Sequence, residues 1–192
     1  FVPSNFDLAF SLGGDGTVLY SARLLGHLGI PILAVNIGDF GFITEVGKDE
    51  WIQAFEKYRD GLLGISERIM IATSVFRNGS EIASYNGLND SVISSAGISK
   101  VVRLGVEIGD TTVGKYRADG VIISTPTGST AYSAAAGGPI LDPEMNALIL
   151  NPICPFTLSN RPLVFPGSRP VFITLEERQR TDVIMTVDGQ EV

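Results

Sequence analysis

The feature that most limits how this chain can fold is a change of texture near residue 64 of its 192. Before that point, apolar runs alternate with segments of helical periodicity. After it, helical periodicity nearly vanishes, apart from a patch near 129–136. Short stretches rich in Ile, Val and Thr follow one another, separated by RNGS, NGLND, IGDT and GS. Such runs, punctuated by Gly, Asn and Asp, read as strands joined by tight turns. The expectation is an α/β amino-terminal domain over 1–64, followed by a mostly β carboxy-terminal domain over 65–192.

The first part reads as alternating elements. DLAFSL (7–12) is a short apolar run with turn signals behind it, which predicts a buried strand. TVLYSARLLGHLG (17–29) puts Val18, Leu19, Ala22, Leu25 and Leu28 on one helical face, with Gly29 as the helix end. IPILAVN (30–36) is a second strand, IGDFGFIT (37–44) a glycine-punctuated loop, and DEWIQAFEKYRDGL (49–62) a second helix carrying Trp51, Ile52, Phe55 and Leu62. The order predicts a parallel βαβα unit with its working loops at the carboxyl ends of the strands. A sheet of two strands is marginal. Further strands are expected from sequence before Phe1 or from later segments that return. VIMTVDGQEV reads as a strand, a turn and the start of another strand, so the chain is expected to be part of a longer protein.

Composition removes several function classes. A hydrophobic share of 44% supports a substantial core. Lys and Arg number 14 against 21 Asp and Glu, a formal net charge of -7, and no basic cluster is visible. Nucleic acid and anionic membrane surfaces are therefore not expected partners. Cys154 and His27 are the only residues of their kinds, which excludes a disulfide within the chain and a Cys/His zinc site. No apolar run is long enough to span a bilayer, and no signal peptide leads the chain, so a reducing cytoplasm is expected.

The chemistry-bearing candidates lie in loops. In SLGGDGTVLY (11–20), Asp15 stands among Gly13, Gly14 and Gly16 at the opening of a helix. Glycines allow close approach of a ligand, and a helix amino terminus favours anions. A carboxylate there repels phosphate unless a metal intervenes or the group serves as a proton acceptor; a plain strand-to-helix turn is the alternative. IGDTTVGKY (108–116) contains G-x-x-x-x-G-K from Gly109 to Lys115, but Tyr116 replaces the magnesium-binding Ser or Thr and the context is β, so a hairpin is expected. His27 has no nearby nucleophile and reads as structural or solvated. The G-x-S-x-G elbow of serine hydrolases is missing. RADGVIISTPTGSTAYSAAAGGPI (117–140) runs from an apolar strand into a turn crowded with hydroxyls, which suits a polar ligand. Asn89 and Asp90 in GLNDSVI (87–93) fit either an Asx-type turn or a pair that hydrogen-bonds a ribose diol or base edge.

Taken together, GGDGT (13–17), GDFGFIT (38–44), LNDSVI (88–93), the block 117–140, PICPFTLSNRPLV (152–164) and VDGQ (187–190) resemble, in content and order, the NAD kinase family. GGDGT is shared with diacylglycerol, sphingosine and phosphofructo-kinase relatives; the 117–140 block is the specific part. The resemblance implies an α/β and a β-rich domain with NAD between them. It implies transfer of the γ-phosphate of ATP, or of polyphosphate in some members, to the 2′-hydroxyl of the adenosine ribose. Mg²⁺ or a similar divalent cation would be carried with ATP rather than held by protein ligands. Dimers or tetramers with shared active sites are implied as well. By the same resemblance Asp15 is the proton acceptor, and Gly13, Gly14, Gly16 and Thr17 form the phosphate-donor loop. Gly16, Phe42, Asn89, Asp90, Arg103, Arg117, Asp119, Thr130, Ala131, Tyr132, Ser133, Ala134, Ala135, Cys154 and Gln190 contact NAD. Asp119 serves the nicotinamide end. Ala135 and Phe156 depart from the serine and histidine that many members carry there. The competing readings are a GGDGT kinase acting on a lipid and a non-catalytic NAD-binding sensor with Asp15 idle.

Overall fold

The computed structural model describes residues 6–38, 41–97, 100–157 and 160–191. They form two compact units, Phe1–Glu67 and Arg68–Val192.

In the first unit, β1 (Ala9–Gly13) leads into α1 (Asp15–Leu25), a 3-10 turn (Gly26–Leu28), β2 (Ile32–Asn36), β3 (Val46–Gly47) and α2 (Trp51–Arg59). β1 and β2 pair in parallel from Ala9↔Ile32 to Gly13↔Asn36, and β3 joins β2 in parallel at Val35↔Val46, which gives the order β1-β2-β3. The expected βαβα unit is present. Its third strand is too short to register as a hydrophobic run. Successive residues of a strand point to opposite faces, and β1 uses both. Phe10 meets the rings of Trp51 and Phe55 on α2, with centroids 5.7 and 5.6 Å apart. Ser11 accepts a hydrogen bond from Ser21 of α1 at 3.2 Å. The two helices therefore cover opposite faces of the sheet.

α1 starts two residues before the expected Thr17. Gly14 caps it, and its carbonyl accepts the N–H groups of Thr17 and Val18 at 2.9 and 3.4 Å. An acid in the first turn is favoured by the positive end of the helix dipole, so Asp15 continues the helix rather than breaking it. α2 ends at Arg59, short of the expected residue 62, where Gly61 turns left-handed with φ 71°.

The described residues of the second unit form three antiparallel sheets. β4 (Ile71–Arg77) and β5 (Ser80–Gly87) form a hairpin. β7 (Val102–Ile108), β8 (Thr111–Ala118) and β12 (Val171–Leu175) pair in the order β12-β7-β8. β6 (Asp90–Ser95), β9 (Gly120–Ser124), β10 (Ala147–Ile153), β11 (Leu163–Pro166), β13 (Val183–Val187) and β14 (Gln190–Glu191) pair in the order β11-β10-β9-β6-β13-β14. Val102, Leu104, Val106 and Ile108 alternate along β7 and are buried against Val121 and Ile123 of β9 and Leu148 and Leu150 of β10. This is the period-two pattern of a strand with one face in the core. β9 and β10 are buried along their whole length, because Val92, Ile122, Ile153 and Ala136 pack on the far face.

β9 feeds a 3-10 turn (Thr127–Thr130) and α3 (Tyr132–Ala135), where the sequence carried its late helical patch. The Gly109–Lys115 look-alike is the β7–β8 hairpin, with Lys115 inside β8. The described strands after residue 64 all join sheets of the second unit. Of the two expected sources of further strands for the first sheet, the later segments are thus corrected: β13 pairs with β6 in the second unit. Among the described residues no helix is long and apolar enough to cross a membrane.

Candidate functional site

Asp15 occupies the first position of α1, directly beyond the carboxyl end of β1. Its carboxylate accepts four hydrogen bonds. Oδ1 accepts the N–H groups of Ile43 (3.0 Å) and Thr44 (3.2 Å) and the Thr44 hydroxyl (3.3 Å); Oδ2 accepts the N–H of Phe42 (2.9 Å). A loop 27 to 29 residues away is thereby tied to the start of the helix. Partial burial pushes the Asp15 carboxyl up, but the three N–H groups and the hydroxyl outweigh it and hold the group below its ordinary value of 3.8. Gly41 is part of this arrangement: a Cβ there would run into Thr44 Oγ1 and Asp15 Oδ1. Oδ1 is filled, while Oδ2 carries one bond and keeps acceptor capacity. Gly14, Gly16 and Thr17 are exposed, and the first N–H groups of α1 have no partner within the helix.

In the second unit, a cavity of about 290 Å³ is lined by Asn89, Asp90, Val92, Ala131, Tyr132, Thr186, Asp188 and Gly189. It unites four residues singled out from the sequence: Asn89, Asp90, Ala131 and Tyr132. Asn89 is 9% exposed, and its Oδ1 is buried with no hydrogen-bond partner. An Asx turn would have used that oxygen, and no such bond is formed by it. Desolvation pushes the Asp90 carboxyl up to about 6, with the nearby Asp188 carboxylate adding to the rise. Gly128 lets the hydroxyl-rich turn press against the Asn89 backbone, where an added Cβ would meet the Asn89 carbonyl. Tyr132 is half exposed, whereas Ser133 is buried and its carbonyl accepts the Asn151 amide at 2.9 Å, which anchors α3 to β10.

A second cavity of about 220 Å³ is lined by Ser94, Ser95, Gly97, Lys100, Asp119, Tyr132 and Ile153. Tyr132 is common to both. Thr130, Ala134 and Ala135 lie on the same turn, outside either lining. Gln190 is exposed beyond the β13–β14 turn. Arg103 and Arg117 stand opposite each other on β7 and β8, in a different sheet, and line neither cavity. The Arg117 guanidinium lies 5.5 Å from the centre of the Phe156 ring, and Cys154 is exposed with φ 45°. Residues that the sequence reading did not name are Asp188, Ser94, Ser95 and Lys100. Only Asp188 carried a signal, the Asp-Gly pair in VDGQ.

GGDG thus opens a helix in the first unit, and the second unit carries a cavity lined by Asn89, Asp90 and Tyr132. The description ATP-NAD kinase N-terminal domain matches residues 1–62, and ATP-NAD kinase C-terminal domain matches residues 88–192. The chain belongs to the ATP-NAD kinase family. It is 47% identical over 188 residues to the NAD kinase of Treponema denticola, which covers 98% of this chain and 66% of the relative. Against the NAD kinase of Geobacter sulfurreducens it is 44% identical over 189 residues, again 98% of this chain and 66% of the relative. The chain thus spans just under two thirds of the length of these curated relatives. Among solved structures, yeast NADH kinase complexed with NADH superposes with a TM-score of 0.89 at 30% identity, covering 100% of this chain and 57% of that one. An NAD kinase from Archaeoglobus fulgidus in complex with ATP gives 0.78 at 29% identity, covering 98% and 71%.

Proposed function

We propose that the protein carrying this chain is an NAD kinase, which transfers the γ-phosphate of ATP or polyphosphate to the 2′-hydroxyl of the adenosine ribose of NAD to give NADP. The observation that carries this reading is the cavity around Asn89, Asp90 and Tyr132, in a chain of this family. A buried, unpartnered amide oxygen calls for a hydrogen-bond donor, and the exocyclic amine of adenine is one. Asp90 accepts the ribose diol, Tyr132 packs on the dinucleotide, and Thr130 bonds it. Asp119, with its neighbours Ser94 and Ser95, serves the nicotinamide end.

Asp15 is the proton acceptor, working through Oδ2. Its lowered pKa makes it a weak base at neutral pH. That suits a loose phosphoryl-transfer transition state, in which the acceptor hydroxyl keeps its proton until late. The gain comes from holding the hydroxyl in line with the donor more than from proton removal. In the Gly13–Thr17 loop, the N–H groups at the start of α1 that have no partner within the helix hold donor phosphates. Among the described residues no three His, Cys, Asp or Glu side chains group as a metal site. The divalent cation of the reaction is the one that travels with the donor, where it offsets phosphate charge. A cytoplasmic homodimer or homotetramer with shared sites completes the reading.

Incubating the full-length protein with NAD and Mg²⁺, plus ATP in one arm and polyphosphate in the other, tests it by NADP formation. Phosphorylation of a lipid acceptor instead would favour the lipid-kinase reading. NAD binding without turnover would favour a sensor.

A further inference from the structure

We infer that Asp188 is the positioning residue of the nucleotide cavity: its carboxylate fixes the backbone that aims Asn89 and Asp90 at the ligand, and its charge decides whether Asp90 meets that ligand as an acid or as a carboxylate. The inference rests on the nucleotide-binding reading of the cavity. It adds a residue about 100 positions away in sequence that touches no reacting atom.

The geometry is that of a clasp. Asp188 is 8% exposed and sits in the β13–β14 turn with φ 50°, a left-handed conformation that Asp tolerates better than most residues. Its carboxylate gathers three successive N–H groups, with Oδ2 taking Leu88 at 3.0 Å and Oδ1 taking Asn89 at 2.7 Å and Asp90 at 3.3 Å. Its own N–H donates to the Asp90 carbonyl at 3.0 Å. From β9 and the turn beyond it, the Thr125 N–H donates to the Asn89 carbonyl at 2.9 Å, and the Thr125 hydroxyl donates to the Leu88 carbonyl at 2.5 Å. Each backbone donor and acceptor of residues 88–90 is therefore engaged, and the Asp188 side chain takes all three donors. On this fixed segment Asn89 Oδ1 is buried without a hydrogen-bond partner.

The charge argument follows from what faces Asp90. Ser124 stands opposite it on β9; Tyr132 comes from α3, Thr186 from β13 and Asp188 from the turn. Among the described residues that line the cavity, Asp188 is the other charged group. Two buried carboxyl groups side by side disfavour double ionisation, in keeping with an Asp90 carboxyl pushed up to about 6 by burial and by Asp188. As a carboxylate Asp90 accepts a ribose diol through charge-assisted bonds. NAD affinity should therefore rise with pH through about 6.

Asp188→Asn tests both arms. The new amide NH₂ must face one of the three N–H groups, and the charge is gone. In the full-length protein, NAD affinity at pH 8 should fall roughly tenfold, the worth of one misdirected hydrogen bond. The pH midpoint of binding should move below 6. In an Asp90→Asn background the midpoint should vanish and Asp188→Asn should no longer alter the pH profile. If Asp188 were merely structural, melting temperature would drop while affinity and midpoint in the folded fraction stayed put, and the inference would be overturned. A ¹³C NMR titration of the Asp90 carboxyl in ligand-free protein gives a reading that needs no nucleotide. A wild-type midpoint near 6 that falls on Asp188→Asn supports the inference; a wild-type midpoint in the ordinary aspartate range overturns it even if the variant does not fold. Wild-type protein that binds no NAD at any pH would sink the proposed function, and the carboxyl titration would still decide the role of Asp188.

Discussion

Replacing Asp90 with Asn should make the protein more stable at alkaline pH than at acid pH, relative to wild type, and the size of the effect follows from the structure. Asp90 titrates at about 6 in the folded chain against 3.8 when unperturbed. A group whose folded pKa is raised contributes stability that is fully present below the unfolded value and is lost as pH rises through the folded value. The full swing is about 3 kcal/mol, from a shift of roughly two units at about 1.4 kcal/mol each. About 1.4 kcal/mol of it falls between pH 5 and pH 8. Asn has nearly the shape of Asp and no charge to desolvate, so the variant lacks this loss. Denaturant unfolding of both proteins at the two pH values, followed by tryptophan-independent circular dichroism, should show the stability difference shifting by about 1.4 kcal/mol in favour of Asp90→Asn at pH 8, or about 3–5 °C in Tm. Titrating groups other than Asp188, which interacts with Asp90, cancel because both proteins carry them. A difference that stays flat between the two pH values would refute the claim that Asp90 is strained by burial and by Asp188.

Asp15→Asn should reduce turnover by roughly 10²–10⁴ with the fold intact. Because the Asp15 carboxyl is held below 3.8, its stabilising contribution is present above that value and fades as pH falls through the folded pKa; the cost of the substitution, measured by unfolding, should therefore shrink in acid. Gly128→Ala drives a Cβ into the Asn89 backbone and should cost about 1–3 kcal/mol together with NAD affinity; calorimetry that finds either unchanged contradicts the close approach. Tyr132→Ala truncates a side chain that is 48% exposed, so melting should move little while the NAD dissociation constant rises roughly tenfold or more; a fall in stability with unchanged affinity would make Tyr132 a packing residue. Asp119→Asn should weaken NAD⁺ more than NADH, since a carboxylate favours the cationic ring by a screened Coulomb attraction. Mixing Asp15→Asn with Asp119→Ala subunits should restore activity if sites are shared, and proven subunit exchange without restored activity would end that idea.

Much of the architecture was open to reading because it is local. The alternation along Val102–Ile108, the continuous apolar run of Gly120–Ser124 and the helical face of Val18 and Ala22 are properties of neighbouring residues, and hydrophobic periodicity reports them directly. The Asn89–Asp90 and Ala131–Tyr132 segments stood out in the sequence as candidates, and the fold places both at one cavity. What spacing along the chain does not carry is which strand lies beside which. Placing β13 next to β6 is what carries Asp188 to the N–H groups of Leu88, Asn89 and Asp90. The position of the 41–44 loop beside the start of α1 is likewise what turns Asp15 from a carboxylate on a flexible tip into the anchor of Phe42, Ile43 and Thr44. Arg103 and Arg117 matched the same family pattern as Asp119, yet they line neither cavity, because β7 and β8 pair in another sheet. Hydrogen bonds and charge fall off over a few ångströms, so these assignments belong to distances between strands, and those exist only once the sheets have closed.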